Sequence, residues 1–400
     1  MVLMQAFIKT HRYLLDHLNV PVHRHLLEYV DWDHRLIGIQ GARGVGKTTF
    51  LLDYAKTFYG NNKSCLYVNL NNLYFAETSV VDFADEFRKT GGKILLLDQI
   101  YKYPNWAEEL RYCYDHFDDL KIVFSGSPLM RLDEGNAYLD DCARVYNLEG
   151  FTFREYLNLK TGNDFKPVGL NELLRRHEDI AAEVVDKVKP LAYFTDYLHH
   201  GYYPFFLEKR NHLENLLKTI NLVLEIDISY LQQIELKYLP KLRKLLYIVG
   251  KSAPFQPNIS RLSNDVETSR ATIMNYLNYL RQGRLVNLLH EDDPDPLKKP
   301  ACVYMHNPNL VFSVASGEVE MDVLHKTFFY NQVGYLNRVS FDGEADFRVN
   351  NDMPFYIGGR NIEKKTEVNN GFFARDMVEI GEANQIPLWL FGFYFKSLKF

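Results

Sequence analysis

The chain has 400 residues, more than one ordinary core holds, so two to four domains are expected. With 46% hydrophobic and 24% charged residues the composition is that of a soluble globular protein. A net charge of −5 excludes a global basic field, so any nucleic-acid contact would have to be a local patch. The four cysteines (Cys65, Cys113, Cys142, Cys302) lie far apart and form no CxxC or Cys/His ligand set, as expected of reduced thiols. The N-terminus lacks a signal-peptide pattern, and the longest apolar run, 386–395, is too short to span a bilayer. A cytoplasmic protein without a membrane partner is expected.

Residues 1–33 read as helical. Leu14, Leu15, Leu18 and Val20 give an apolar face, Pro21 ends the segment, and Leu26, Leu27 and Val30 lead to Trp32. Such a leading segment either covers a nucleotide base or simply packs. An apolar strand over 36–39 then breaks into a glycine-rich turn and an amphipathic helix over 48–56. Gly41, four intervening residues, Gly46, Lys47 and Thr48 fill the P-loop pattern in its required strand–turn–helix context. Glycines let consecutive backbone N–H groups turn inward around a polyphosphate, and the positive helix end adds to that field. Lys47 would reach the β- and γ-phosphates, and the Thr48 hydroxyl would ligate Mg²⁺. Gly41, Ala42, Arg43, Gly44, Val45, Gly46, Lys47, Thr48 and Thr49 are therefore the expected ATP-binding residues.

Further strands are expected over 65–69, 93–98, 122–125 and 145–148, with helices over 80–89 and from about Trp106 to Tyr114. Four apolar residues ending in Asp98 have the Walker B form, in which the carboxylate holds Mg²⁺, usually through water. Alternating strands and helices give a parallel sheet with nucleotide at the strand C-terminal ends. Ser125 or Ser127, at the end of the fourth strand, stands where such ATPases sense the γ-phosphate. Capping of the next turn is the other reading of either hydroxyl.

Residues 156–236 are mostly helical by period, a helical lid. Three short helices follow (242–249, 259–262, 270–281), then strands at 285–289 and 302–305 around a Pro/Asp-rich turn. That order is the winged-helix arrangement, with Ser269, Arg270 and Thr272 exposed on the reading helix. Acidic Asp265 and Glu267 beside it keep a protein partner in play as well as DNA. The last 85 residues read as a separate α/β unit with strands over 339–341, 345–349, 354–357 and 387–395.

These stretches resemble a family of prokaryotic AAA-type ATPases with a C-terminal domain similar to PD-(D/E)xK nucleases. The matching segments are 36–52, 95–106, 122–127, 148–157, 358–361 and 386–393. The resemblance implies a nucleotide-binding core, a lid, a winged helix and a nuclease-like domain. Three departures matter. Gln99 stands where such ATPases carry a glutamate that polarises the attacking water. Of the arginine pair that serves as arginine finger, only Arg144 remains, and a surface ion pair is its other reading. In the nuclease pattern Asp346 fits the first acid, but Tyr356 replaces the second and Arg360 stands in for lysine. Glu363-Lys364-Lys365 falls beyond the strand as a solvated charge run, so nuclease activity is not expected.

The expected fold class is thus α/β, an AAA-like P-loop parallel sheet (34–157) after an N-terminal helical segment (1–33). A helical lid (158–236), a winged helix (237–313) and a restriction-endonuclease-like α/β domain (314–400) follow. The expected function is an ATP-binding switch with bound Mg²⁺ on Thr48 and Asp98. Gln99, Ser125 and Arg144 are the candidate catalytic residues, and hydrolysis is slow because Gln cannot accept a proton. The alternatives are an ordinary-rate ATPase coupled to DNA or a protein partner, and an interaction scaffold in which ATP or ADP is structural.

Overall fold

The computed structural model describes residues 2–130, 138–208, 211–291, 298–314, 319–358 and 371–395. It divides into two compact units, Met1–Gly150 and Phe151–Phe400.

The first unit is a parallel sheet with helices around it. Its elements in order are α1 (Val2–His17), a 3-10 turn (His25–Glu28), β1 (Leu36–Gln40), α2 (Lys47–Phe58), β2 (Cys65–Asn69) and α3 (Val80–Lys89). β3 (Ile94–Asp98), α4 (Trp106–His116), β4 (Lys121–Gly126) and β5 (Arg144–Asn147) complete it. Every residue of β1 and β3 is buried, as a sheet covered on both faces requires. The strand order is β2-β3-β4-β1-β5, all parallel. Ile39 pairs with Ser125 and Leu97 with Phe124, so the ends of β1, β3 and β4 finish level at one edge. Strand side chains alternate. Leu95 and Leu97 therefore share a buried cluster with Phe83 and Phe87 of α3 and Leu110 of α4. Leu96 and Asp98 face the other way. On α2, Tyr54 is covered by Trp32, whose ring stacks on it at a centroid distance of 3.7 Å.

An edge strand leaves unpaired N–H groups, and β2 is an edge strand. The helix α1 covers it: the Tyr67 N–H donates to His11 Nδ1 at 3.1 Å, which places the ring proton on Nε2. His11 is buried, and that burial, helped by the Arg12 charge, lowers its pKa to about 4.

The second unit begins with α5 (Phe153–Thr161), closed by a capping box between Thr152 and Glu155. Then come α6 (Leu170–Val185), α7 (Leu191–Asp196), α8 (His212–Leu222), α9 (Ser229–Leu231), α10 (Leu239–Ser252), α11 (Ile259–Val266) and α12 (Arg270–Gln282). An antiparallel pair, β6 (Val286–Leu289) and β7 (Cys302–Met305), is followed by α13 (Pro308–Val314) and α14 (Met321–Gly334). The last sheet runs β12-β11-β10-β9-β8, from β8 (Val339–Ser340), β9 (Phe347–Val349), β10 (Met353–Gly358), β11 (Phe372–Arg375) and β12 (Gln385–Pro387). The helices and this sheet share one core: Phe153 rings meet Trp389 and Phe393, and Phe194 meets Phe328.

The expected strand over 387–395 is corrected by the structure. Pairing stops at Pro387, and Leu388–Phe393 coils into a 3-10 helix. Proline offers no N–H to continue a ladder, and a continuous apolar run carries no period that separates strand from helix. Likewise β9 starts only at Phe347, and β11 was not expected at all. Arg360, Glu363, Lys364 and Lys365 lie outside the described residues, as does the turn over 292–296. Among the described residues no helix is long and apolar enough to cross a membrane.

His11 makes the first unit acid-sensitive. Above pH 6.5 both folded and unfolded chains hold it neutral. Between 6.5 and about 4 the unfolded chain takes up a proton that the folded chain refuses, so stability falls as pH falls through that window. The loss is at most about 3–4 kcal/mol, one pKa unit being about 1.4 kcal/mol. His11→Asn keeps an acceptor for the Tyr67 N–H and should flatten the fall, as urea midpoints measured from pH 7.5 to 4 would report. Parallel curves for wild type and variant would remove His11 from the explanation.

Candidate functional site

The glycine-rich loop joins β1 to α2 at the level edge of the sheet. Gly44 (φ 87°) and Gly46 (φ 98°) hold the left-handed conformation that bends it, and Gly46 precedes the first turn of α2. A Cβ on Gly41 would lie 2.3 Å from the Leu148 carbonyl oxygen, so only glycine fits where the loop leaves β1. The Gly41 N–H donates to the Gly126 carbonyl at 3.3 Å, and the Leu148 N–H donates to Gln40 at 2.7 Å. Lys47 Nζ donates to the carbonyls of Gly41 (2.7 Å) and Ala42 (2.9 Å), folding over the loop. Val45 is fully buried, Ala42 is buried, and Thr48 and Thr49 are exposed at the start of α2. Arg43 donates to the Tyr101 hydroxyl at 2.8 Å.

Asp98 ends β3 and is 1% exposed. Its Oδ2 accepts from the Thr48 and Tyr67 hydroxyls, each at 2.7 Å. Its Oδ1 accepts from the Ser125 hydroxyl and from the Gln99 N–H at 3.1 Å. The same Gln99 N–H also reaches Ser125 Oγ at 3.0 Å. Tyr67 pairs with Leu96, two residues before Asp98, so both side chains leave the sheet on one face. Burial, and next the Asp98 charge, push the Tyr67 phenol well above its ordinary pKa, so it stays a neutral donor.

The structure therefore brings Lys47, Thr48, Asp98, Gln99 and Ser125 together at one edge. Ser127 instead accepts from the Leu129 N–H at 3.4 Å and caps the turn that follows β4. Arg144 is elsewhere: it pairs with Ile37 in the sheet, three residues before Asn147 ends β5, and its guanidinium binds the Asp31 carboxylate. Sequence reasoning missed two residues here. Tyr67 was legible in principle, because the alternation of β2 puts it on the face of Asp98. Arg24 carried no signal: it lies in the segment before β1, yet its guanidinium donates to the loop carbonyl of Val45 at 3.1 Å.

In the second unit, Asp346 receives the Lys326 ammonium on Oδ1 at 3.0 Å and the Ile357 N–H on Oδ2 at 2.8 Å. Tyr356 is buried and stacks on Phe373 at 4.9 Å. Among the described residues no group of three or more His, Cys, Asp or Glu side chains is placed to hold a metal.

Comparison with known proteins agrees with the edge geometry over 33–157, which match the model of the AAA domain. These residues form an AAA domain. In the second unit, residues 191–304 match a domain of unknown function (DUF8612). The chain is 28% identical over 283 residues to the "uncharacterized protein MJ1637" of Methanocaldococcus jannaschii, a match spanning 65% of this chain and 58% of that relative. A RuvB variant from Thermotoga maritima aligns over 71% of this chain and 89% of its own, at 14% identity and TM-score 0.30. AMPPCP-bound DnaA from Aquifex aeolicus aligns over 68% of this chain and 86% of its own, at 14% identity and TM-score 0.25.

Hydrogen bonds to a buried charge are worth about 1.5–3 kcal/mol. Tyr67→Phe should therefore lower the urea midpoint of the first unit by a corresponding amount while leaving its circular dichroism unchanged. An unaltered midpoint would mean that the other donors fully satisfy Asp98.

Proposed function

We propose that this AAA-type protein binds ATP with Mg²⁺ as a switch and hydrolyses it slowly. The observation that carries the reading is the edge cluster: a P-loop lysine and threonine beside Asp98, with Gln99 where a general base would stand. Two hard oxygen ligands, the Thr48 hydroxyl and the Asp98 carboxylate, lie 2.7 Å apart next to the phosphate loop. That donor set suits Mg²⁺, which when bound offsets the charge of the β- and γ-phosphates. Lys47 would exchange its two loop carbonyls for phosphate oxygens. Ser125, linked to both Asp98 and Gln99, would respond to the γ-phosphate. Gln99 can orient water but has no carboxylate to take its proton, and a positioned base is worth about 10²–10⁴-fold.

Phosphate release at saturating ATP tests this. Wild type should bind ATP, Lys47→Ala should not, and Gln99→Glu should raise turnover by up to about 10²-fold. Rapid wild-type turnover that Gln99→Glu leaves unchanged would replace the slow switch with an ordinary ATPase. Equal stabilisation by ATP and ADP, with no change elsewhere in the chain, would favour the scaffold.

The order α10, α11, α12 and the β6–β7 pair supports reading 237–313 as a winged helix. Arg270, Ala271 and Asn275 are exposed on α12, as is Ser269 at its N-cap, while Ile273, Leu277 and Leu280 are buried. The neighbouring acids are drawn to cations, Asp265 to Arg261 at 3.7 Å and Glu267 to Lys244 at 3.6 Å. This face would meet DNA phosphates through Arg270. Salt-sensitive gel-shift binding that Arg270→Glu abolishes is the expected result; no binding at low salt assigns the face to a protein partner. For the last sheet we propose a nuclease-like fold without nuclease activity. The commitment of both Asp346 oxygens to Lys326 and the Ile357 N–H, and the stacked Tyr356, support that reading.

A further inference from the structure

A loop of glycines has no side chains with which to hold its own shape, so whatever fixes its carbonyls also fixes where its N–H groups point. In a trans peptide the C=O and N–H are antiparallel. The Val45–Gly46 peptide is gripped by its oxygen: Arg24 Nη1 donates to the Val45 carbonyl at 3.1 Å. The other arm of the same guanidinium, Nη2, donates to the carbonyls of Glu149 (2.7 Å) and Gly150 (2.9 Å), just past β5. The neighbouring residue pins the segment to the helix that follows the loop, because His23 Nδ1 lies 2.8 Å from the Asp53 carboxylate on α2.

We propose that Arg24 is a positioning residue of the phosphate site. Its guanidinium ties the Val45 carbonyl to the chain leaving β5 and so aims the Gly46 N–H into the loop. A charge-assisted bond to the carbonyl also polarises the peptide, which makes that N–H a stronger donor to an anion. The planar fork matters as much as the charge, because one flat group must serve acceptors on two separate segments at once. A lysine offers a point charge and cannot bridge them in that geometry. The inference rests on the nucleotide-binding reading given above.

The test is a set of equilibrium titrations with ATP, ADP and inorganic tripolyphosphate at 10 °C, on wild type, Arg24→Met, Arg24→Lys and Lys47→Ala. Circular dichroism first establishes that each variant is folded at that temperature, which separates a merely structural role from an effect on binding. Arg24→Met should weaken all three ligands by a common factor of about 10-fold or more, the scale of a lost charge-assisted hydrogen bond. Arg24→Lys should recover only part of that loss. A folded Arg24→Met that binds ATP within about twofold of wild type overturns the assignment. So does full recovery in Arg24→Lys, which would leave charge alone as the cause, or a loss confined to ATP, which would place the effect on the γ-phosphate. A wild type that binds none of the three ligands overturns the nucleotide reading as well, and Lys47→Ala then shows no contrast.

Discussion

Burying a carboxylate costs several kcal/mol unless donors surround it. At Asp98 the donors come from four separate parts of the first unit. Thr48 arrives from α2, Tyr67 from β2, Ser125 from β4, and the last N–H from the peptide that follows Asp98 itself. Tyr67 and Ser125 would not reach if the strands were paired differently. A slip of one residue between β2 and β3 would turn Tyr67 to the opposite face, because side chains alternate along a strand. The buried acid thus needs the register, and the register in turn sets the strand ends level, where the loop begins.

The loop has the complementary difficulty. Asp98 is a negative charge in need of N–H and O–H donors, whereas the loop presents carbonyls in need of cations. Lys47 covers the carbonyls of Gly41 and Ala42 from within the motif, and Arg24 covers that of Val45 from outside it. The Gly41 N–H and the Gln40 carbonyl are taken by the strands on either side, β4 and the chain after β5. Flexibility supplied by Gly44 and Gly46 is therefore confined to the turn itself, and both ends of the turn are fixed by neighbours.

What could be read from the sequence was whatever local pattern enforces. A four-residue apolar strand, a glycine turn and a Gly-Lys-Thr helix start form one contiguous signal, and the structure keeps all three in place. Asp98 was legible because an acid at the end of an apolar strand is rare without a reason. Arg24 and His11 were not, since each acts on a residue distant in sequence: Arg24 on Val45 and Glu149, His11 on the backbone of Tyr67. At the other end, the 386–395 run was too uniformly apolar to show a period. There Pro387 and packing around Phe153 and Trp389, not local preference, decide where the strand gives way to a 3-10 turn.

Gln99 shows why, on the proposed reading, binding and hydrolysis would be separable at this edge. Its backbone sits in the left-handed region (φ 58°), a conformation that costs a non-glycine residue about 1–2 kcal/mol. Such strain persists only where surroundings over-determine it. Here they do, because the Gln99 N–H is held by Asp98 Oδ1 and Ser125 Oγ together. These bonds belong to the main chain, so they survive any side chain at this position other than proline. The bonds that tie the Asp98 carboxylate and the Ser125 hydroxyl to the turn are consequently available whether residue 99 ends in an amide or an acid. Changing that one group alters what can accept a proton, while the atoms that would hold metal and phosphate keep their partners.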